Sequence, residues 1–167
     1  MLRMLVACMG LLLACVTQAV AGPPKVAVFD FELLDMSLEG GARRADEQER
    51  LARASQQLRK GLEASGRFAV VDIAPVRDEA AAANLQACGG CDVRLARKVG
   101  ADLSVTGVVQ KVSNLILNMN IYVHDASAGQ RVAAMSVSFR GNTDESWTRA
   151  LDYLLRNRLL APDYGVH

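Results

Sequence analysis

The sequence predicts an α+β fold. The expected form is a two-layer sandwich, a mixed five-stranded sheet with a C-terminal antiparallel meander and helices packed on one face. Three observations point to it. The first half of the chain alternates strand-like and helix-like segments, the mark of crossover connections. Three strand-like segments then follow one another from residue 103 to residue 140. The last two of these alternate apolar and polar residues with period 2, so each presents one face to a core and one to something polar.

The elements follow in order. Lys25-Val26-Ala27-Val28-Phe29-Asp30-Phe31 is a short, nearly continuous apolar run and reads as a buried strand. Glu32 to Ala45, with Asp35, Ser37, Gly40 and Gly41, reads as a loop. Asp46 to Ala64 places Leu51, Ala54, Leu58 and Leu62 on one stripe and charges elsewhere, as an amphipathic helix does. Gly66 suits the residue after its end. Phe68 to Ile73 is a second strand, and short helices are expected over Glu79–Asn84 and Asp92–Val99. Leu103–Val112, Leu115–His124 and Arg131–Arg140 are strands three to five, the last two joined by a turn through Asp125–Gly129. Thr143 to Leu160 is the closing helix, with Asn142 or Thr143 as its cap and Trp147, Ala150, Leu151, Leu154 and Leu155 as its buried stripe.

Composition excludes several classes. With 167 residues, 51% hydrophobic and 22% charged, the chain can bury a sizeable core without metals or disulfides. Its net charge is +1. Removal of a leader containing Arg3 leaves a neutral chain, which lacks the basic footprint of a nucleic-acid binder. GxGxxG and GxxxxGK[ST] are both absent, so the usual phosphate-cradling loops are missing. Two histidines, His124 and His167, give little scope for metal ligation. No cofactor and no metal are expected.

Residues 1–21 read as a secretory signal peptide: Arg3 is the positive end, Met4–Val16 the apolar stretch and Ala19-Val20-Ala21 the cleavage site. Residues 22–167 would then form one α+β domain. Leu12-Leu13-Ala14-Cys15 also resembles a bacterial lipobox, in which Cys15 would be lipidated. Both routes place the body outside the cytoplasm, as a periplasmic protein or a membrane-anchored lipoprotein. Membrane contact is expected only if Cys15 is acylated.

Two features could carry function. Cys88-Gly89-Gly90-Cys91 is a close cysteine pair in an oxidising compartment. A structural disulfide, a thiol–disulfide redox site, and reduced or transiently metal-binding thiols are its readings. Cys91 opens a predicted helix, whose dipole would lower a thiol pKa. No proline or preceding aromatic completes a thioredoxin-type site. The second feature is a polar sheet face. Asn118, Asn120, Tyr122 and His124 alternate with core residues on one strand, and Ser136, Ser138 and Arg140 do so on the next. If these strands are antiparallel neighbours, the polar groups share one surface with opposed residues about 5 Å apart. That surface is either a solvated face or a recognition surface. Asp30, Glu32 and Asp35 follow the first strand without the spacing of an EF-hand and read as a solvated loop.

The segments Val26–Phe31, Cys88–Cys91, Lys98–Asp102, Gln110–Asn118 and Arg140–Trp147 together resemble a family of secreted bacterial proteins classed as a domain of unknown function. More distantly, the apolar first strand, the amphipathic helix and Gly100-Ala101-Asp102 leading into a strand with Gly107 are similar to the amino-terminal domain of TolB. They are also similar to the periplasmic domain of curli-secretion lipoproteins. The resemblance implies a non-enzymatic accessory protein whose partner is another periplasmic or envelope protein. A redox protein using the cysteine pair and a lipid-anchored cofactor of an envelope machine are the alternatives.

Overall fold

The computed structural model describes residues 22–37 and 44–165. The expected leader and Cys15 lie outside these residues. The elements are β1 (Lys25–Val28), β2 (Glu32–Asp35), α1 (Ala45–Ala64), β3 (Ala69–Val70), α2 (Arg77–Ala82), α3 (Cys91–Lys98), β4 (Leu103–Lys111), β5 (Ile116–Asp125), β6 (Arg131–Arg140) and α4 (Asp144–Leu154). The strand order is β3-β1-β4-β5-β6, with β2 also pairing β4. Pairing is parallel among β1, β2, β3 and β4 and antiparallel from β4 to β6, so the sheet is mixed and ends in the expected meander.

The sheet has six strands, one more than the sequence suggested. Glu32–Asp35 continues the line of β1 along β4, with Glu32 opposite Val108 and Asp35 opposite Lys111. Its short stretch lacks a clean alternation, which hides it in the sequence. The ladder breaks between β1 and β2, and α1 takes up the freed groups there. Ser55 Oγ accepts from Phe31 N at 2.9 Å, and the Arg59 guanidinium reaches Val28 O and Asp30. The Phe31 ring lies on Gly107, where a Cβ would come within 2.4 Å of it. Glycine at 107 therefore gives Phe31 its seat.

Alternation along the strands sends two sets of side chains to opposite faces. Val26, Val28, Val105, Val109, Leu117, Met119, Ile121 and Val123 meet Leu51, Leu58 and Leu62 of α1 and Trp147, Leu151 and Leu154 of α4 in the main core. Ala27 and Phe29 point the other way and join Ile73, Val76, Ala80, Leu95 and Ala96 in a second cluster. The two long helices thus cover one face, and α2 and α3 extend cover to the β1–β4 part of the other.

Two charged residues lie inside the main core. Lys111, 2% exposed, places Nζ 2.9 Å from Glu47 Oε1, whose residue is 1% exposed. Asp35 Oδ2 lies 3.3 Å from the same ammonium. Asn142 Nδ2 donates to Glu47 Oε1 at 2.8 Å, and Trp147 Nε1 donates to Asn142 Oδ1 at 2.9 Å. Burial pulls the Lys111 pKa down, but its bonds to Glu47 and Asp35 together carry it above the ordinary 10.5. Asp35 is held below the usual carboxylate range, chiefly by the hydroxyl and N–H of Ser37. Thr143 caps α4 through Ser146 N, as expected, and Phe139 meets the Trp147 ring edge-on at 6.3 Å.

Lys111→Met should cost about 3–5 kcal/mol, because it leaves the Glu47 carboxylate buried without its cation. Adding Glu47→Leu should recover most of that loss in chemical denaturation. The sign with pH follows from the raised Lys111 pKa. Its contribution is complete below 10.5 and is lost as pH rises through its higher folded value. The alkaline loss of stability should therefore shrink in Lys111→Met. Asp35 works the other way: its contribution is present above 3.8 and fades as pH falls through its lower folded value. Trp147, 3% exposed, is a core anchor. Trp147→Ala should cost about 3–5 kcal/mol, and unchanged melting of that variant would refute the assignment.

Candidate functional site

The outer face of β4 and β5 is the floor of a cleft of about 1080 Å³. Thr106, Val108 and Gln110 of β4 and Tyr122 and His124 of β5 form the floor, Glu32 and Leu34 of β2 one side, and the Ala80–Gly90 stretch the opposite wall. The wall forms because α2 is short. It ends at Ala82, and the chain crosses over the sheet through Leu85 and Cys88 before α3 begins. Gly90, at φ 90°, precedes α3 in the left-handed region that glycine tolerates.

Polar contacts fasten this wall to the sheet. Leu85 N donates to Glu32 Oε1 at 3.0 Å. Asp92, in the first turn of α3 and 3% exposed, accepts from the buried Ser104 hydroxyl. His124 Nδ1 lies 2.8 Å from Asp92 Oδ2, within ion-pair distance though not aligned as a hydrogen bond. The Arg97 guanidinium reaches the carbonyls of Ala126 and Ser127 in the β5–β6 turn. At the far end of the cleft, Arg131 stands over the Tyr122 ring at 5.9 Å.

The sulfurs of Cys88 and Cys91 lie at disulfide distance across the turn into α3. The Arg94 guanidinium lies 3.2 Å from Cys91 Sγ, and Gly89 and Gly90 line the cleft beside the pair.

The register of β5 and β6 brings the expected polar residues onto one surface. Asn118 is opposite Ser138 and Asn120 opposite Ser136, and the Ser138 hydroxyl donates to Asn118 Oδ1. Tyr122 is opposite Ala134, Arg140 opposite Ile116 and His124 opposite Arg131, with a bulge between Val123 and His124. The face is not uniformly open. Ser136, Ser138 and Arg140 are exposed, whereas Asn120 is 9% exposed and Tyr122 and His124 are half-buried under the cleft. It therefore divides into an open half on β6 and a roofed half on β4 and β5.

The three early acidic residues separate. Asp30 pairs with Arg59 at 2.6 Å, Asp35 with Lys111, and Glu32 enters the cleft. Among the described residues no cluster of histidine, cysteine, aspartate or glutamate has the arrangement of a metal site. Of the cleft residues, Glu32 was expected in a solvated loop and Asp92 on a helix surface, and both instead meet the cleft wall. The period-2 partner of Leu33 was the available signal for Glu32. Asp92 gave none, since a helix-opening aspartate ordinarily faces water.

Three comparisons place the chain. The C-terminal domain of LpoB from Salmonella enterica superposes with a TM-score of 0.52 at 14% identity, covering 71% of this chain and 84% of that one. The same domain from Escherichia coli gives 0.51 at 14% identity, covering 72% and 85%. TolB from Acinetobacter baumannii gives 0.45 at 14% identity, covering 81% of this chain and 28% of that one. At this identity the LpoB likeness is one of fold. No curated protein matches the chain in sequence. The model of the DUF3280 family, described as a protein of unknown function (DUF2380), matches residues 24–159. A match over so much of the chain settles the family: the protein belongs to DUF3280.

Proposed function

We propose that the protein is a non-enzymatic accessory protein of the bacterial periplasm that docks another envelope protein on the open half of its polar sheet face, along β6. The observation that carries this reading is the surface on which Asn118, Ser136, Ser138 and Arg140 stand together, one side of a sheet whose other side is the main core. Amide, hydroxyl and guanidinium groups arrayed at strand spacing offer directed hydrogen bonds to a partner. Among the described residues β6 also ends the sheet, so the backbone along one side of its 10 residues is open there to an added strand. Among the described residues no helix is long and apolar enough to cross a membrane. Acylation of Cys15 is the membrane attachment proposed here, and palmitate labelling reads it.

One observation favours a second reading. A guanidinium beside Cys91 at the start of α3 is a setting that stabilises a thiolate, as a thiol–disulfide exchange protein requires. The structural reading expects almost no titratable thiol in the denatured native protein and no turnover in an insulin-reduction assay. Turnover would establish the redox reading.

The double variant Ser138→Arg/Arg140→Ala tests the docking surface. Its melting should stay within about 1 kcal/mol of wild type, since both positions are exposed. Its recovery of envelope proteins by co-purification from native membranes should fall severalfold. Full recovery of the same partners would remove the proposed surface.

A further inference from the structure

The side of the cleft formed by β2 is a strand edge. β2 pairs with β4 on one side, and among the described residues no strand pairs with it on the other. Its main-chain groups alternate in direction. Met36 N donates to Lys111 O of β4, whereas Phe31 N turns the opposite way, to Ser55 Oγ. The same alternation in the ladder turns Leu34 toward β4 and sends the N–H and C=O of Leu33 and Asp35 away from it. No described residue hydrogen-bonds the Leu33 N–H or C=O on that side. Leu33 packs its side chain against the main core and yet lines the cleft, so the cleft meets its main chain. The unbroken run from Asp30 to Leu34 along the cleft says the same, since one face of a strand would contribute only alternate residues. The edge has a lip on each side. Ala80–Ala87 forms one, and Gln48 and Ala52 of α1 form the other around a second hollow of about 390 Å³. The two hollows share Asp30, Phe31 and Arg77, so they meet at the edge.

We infer that this edge is the docking site for an extended peptide segment of a partner protein, which lies beside β2 as an added strand. Main-chain N–H and C=O groups at strand spacing are met in full by another main chain. The four residues of β2 span roughly 13 Å, which sets the length of the paired stretch. The lips set its chemistry. The facing wall is alanine from residue 80 to residue 83, and Leu34 stands 47% exposed opposite it. Side chains that the segment turns into the cleft are therefore small or apolar. The neighbouring charges are engaged with one another, Asp30 with Arg59 at 2.6 Å and with Arg77 at 3.9 Å, so the centre of the segment is uncharged. The cleft, about 1080 Å³, lies at the upper end of small-ligand sites and suits a row of alternate side chains. A folded second copy would carry helices of its own into the two lips. The site is separate from the docking surface proposed above, which is on β6 at the other side of the sheet.

The test is panning of a phage-displayed library of random octapeptides against the immobilised protein. It should enrich sequences with small or apolar residues at alternate positions. The enriched peptide, made synthetically, should bind saturably in calorimetry and shift the amide signals of Leu33 and of residues 80–87. Two analogues, N-methylated at the odd or at the even amides, give the signature of strand addition: one should lose binding at least tenfold and the other keep it. Leu34→Asp and Ala87→Arg should each weaken binding at least tenfold without lowering the melting temperature, because both positions are exposed. Ser138→Arg/Arg140→Ala should leave peptide binding unchanged, which separates this site from the β6 surface. The inference fails if the library shows no enrichment, if both analogues bind as the parent does, or if the shifts fall on β6. It fails equally if Leu34→Asp dissociates a dimer of the protein in sedimentation, which would make a second copy the occupant.

Discussion

A lysine and a glutamate removed from water hold the parts of this protein in register. Lys111 is the last residue of β4, and Glu47 is in the first turn of α1. Each ion would be strongly unfavourable alone at such burial, so neither element can shift without exposing the other's charge. The pair reaches further through its remaining bonds. Asp35 brings in the end of β2, and Asn142 connects Glu47 to Trp147 and so to α4. Four elements from the early, middle and late parts of the sequence thus meet at one buried polar point. Apolar packing alone would allow α1 to slide along the sheet by a turn, whereas directional bonds to Glu47 fix one position.

How much of this was legible depends on which residues carried it. The strands and helices were readable wherever pattern and burial agree, as in the Leu51–Leu62 stripe and the alternation from Leu117 to Val123. A likeness to a bacterial family of unknown function was also readable, from five segments spread over the chain, and the DUF3280 match agrees with it. Glu47 was not, because a glutamate near a helix start normally serves the helix dipole in water. Lys111 offered a faint sign, since it occupies the core-facing parity of Val105 and Val109. β2 was hidden by its length and by the break at Asp30, which only α1 makes tolerable through Ser55 and Arg59.

The polar face illustrates the same limit at the site. Period-2 alternation identified Asn118, Asn120, Tyr122, His124, Ser136, Ser138 and Arg140 as one surface, and the strand register bears that out. Alternation cannot say what lies above a face. The α2–α3 connection crosses over β4 and β5, so the residues there are a cleft floor, while those on β6 remain open. Glu32 and Asp92 fasten that crossing and come from segments that pattern treats as loop and helix surface. The Cys88–Cys91 pair, its sulfurs at disulfide distance, belongs to the same crossing.

The order of strands across the sheet has a consequence for how the protein is made. β1 and β2 find their partner in β4, and Val26 is opposite Leu103, far along the chain. Until residues 103–111 are available, β1 has only the two-residue β3 beside it. The first hundred residues therefore have no sheet to join, and the Phe31 seat at Gly107 does not yet exist. Long-range parallel pairing of this kind closes large loops before it is rewarded, and such topologies fold slowly. A chain with that topology cannot complete its sheet until β4 has been made, so assembly of its first strands waits on the later half of the sequence.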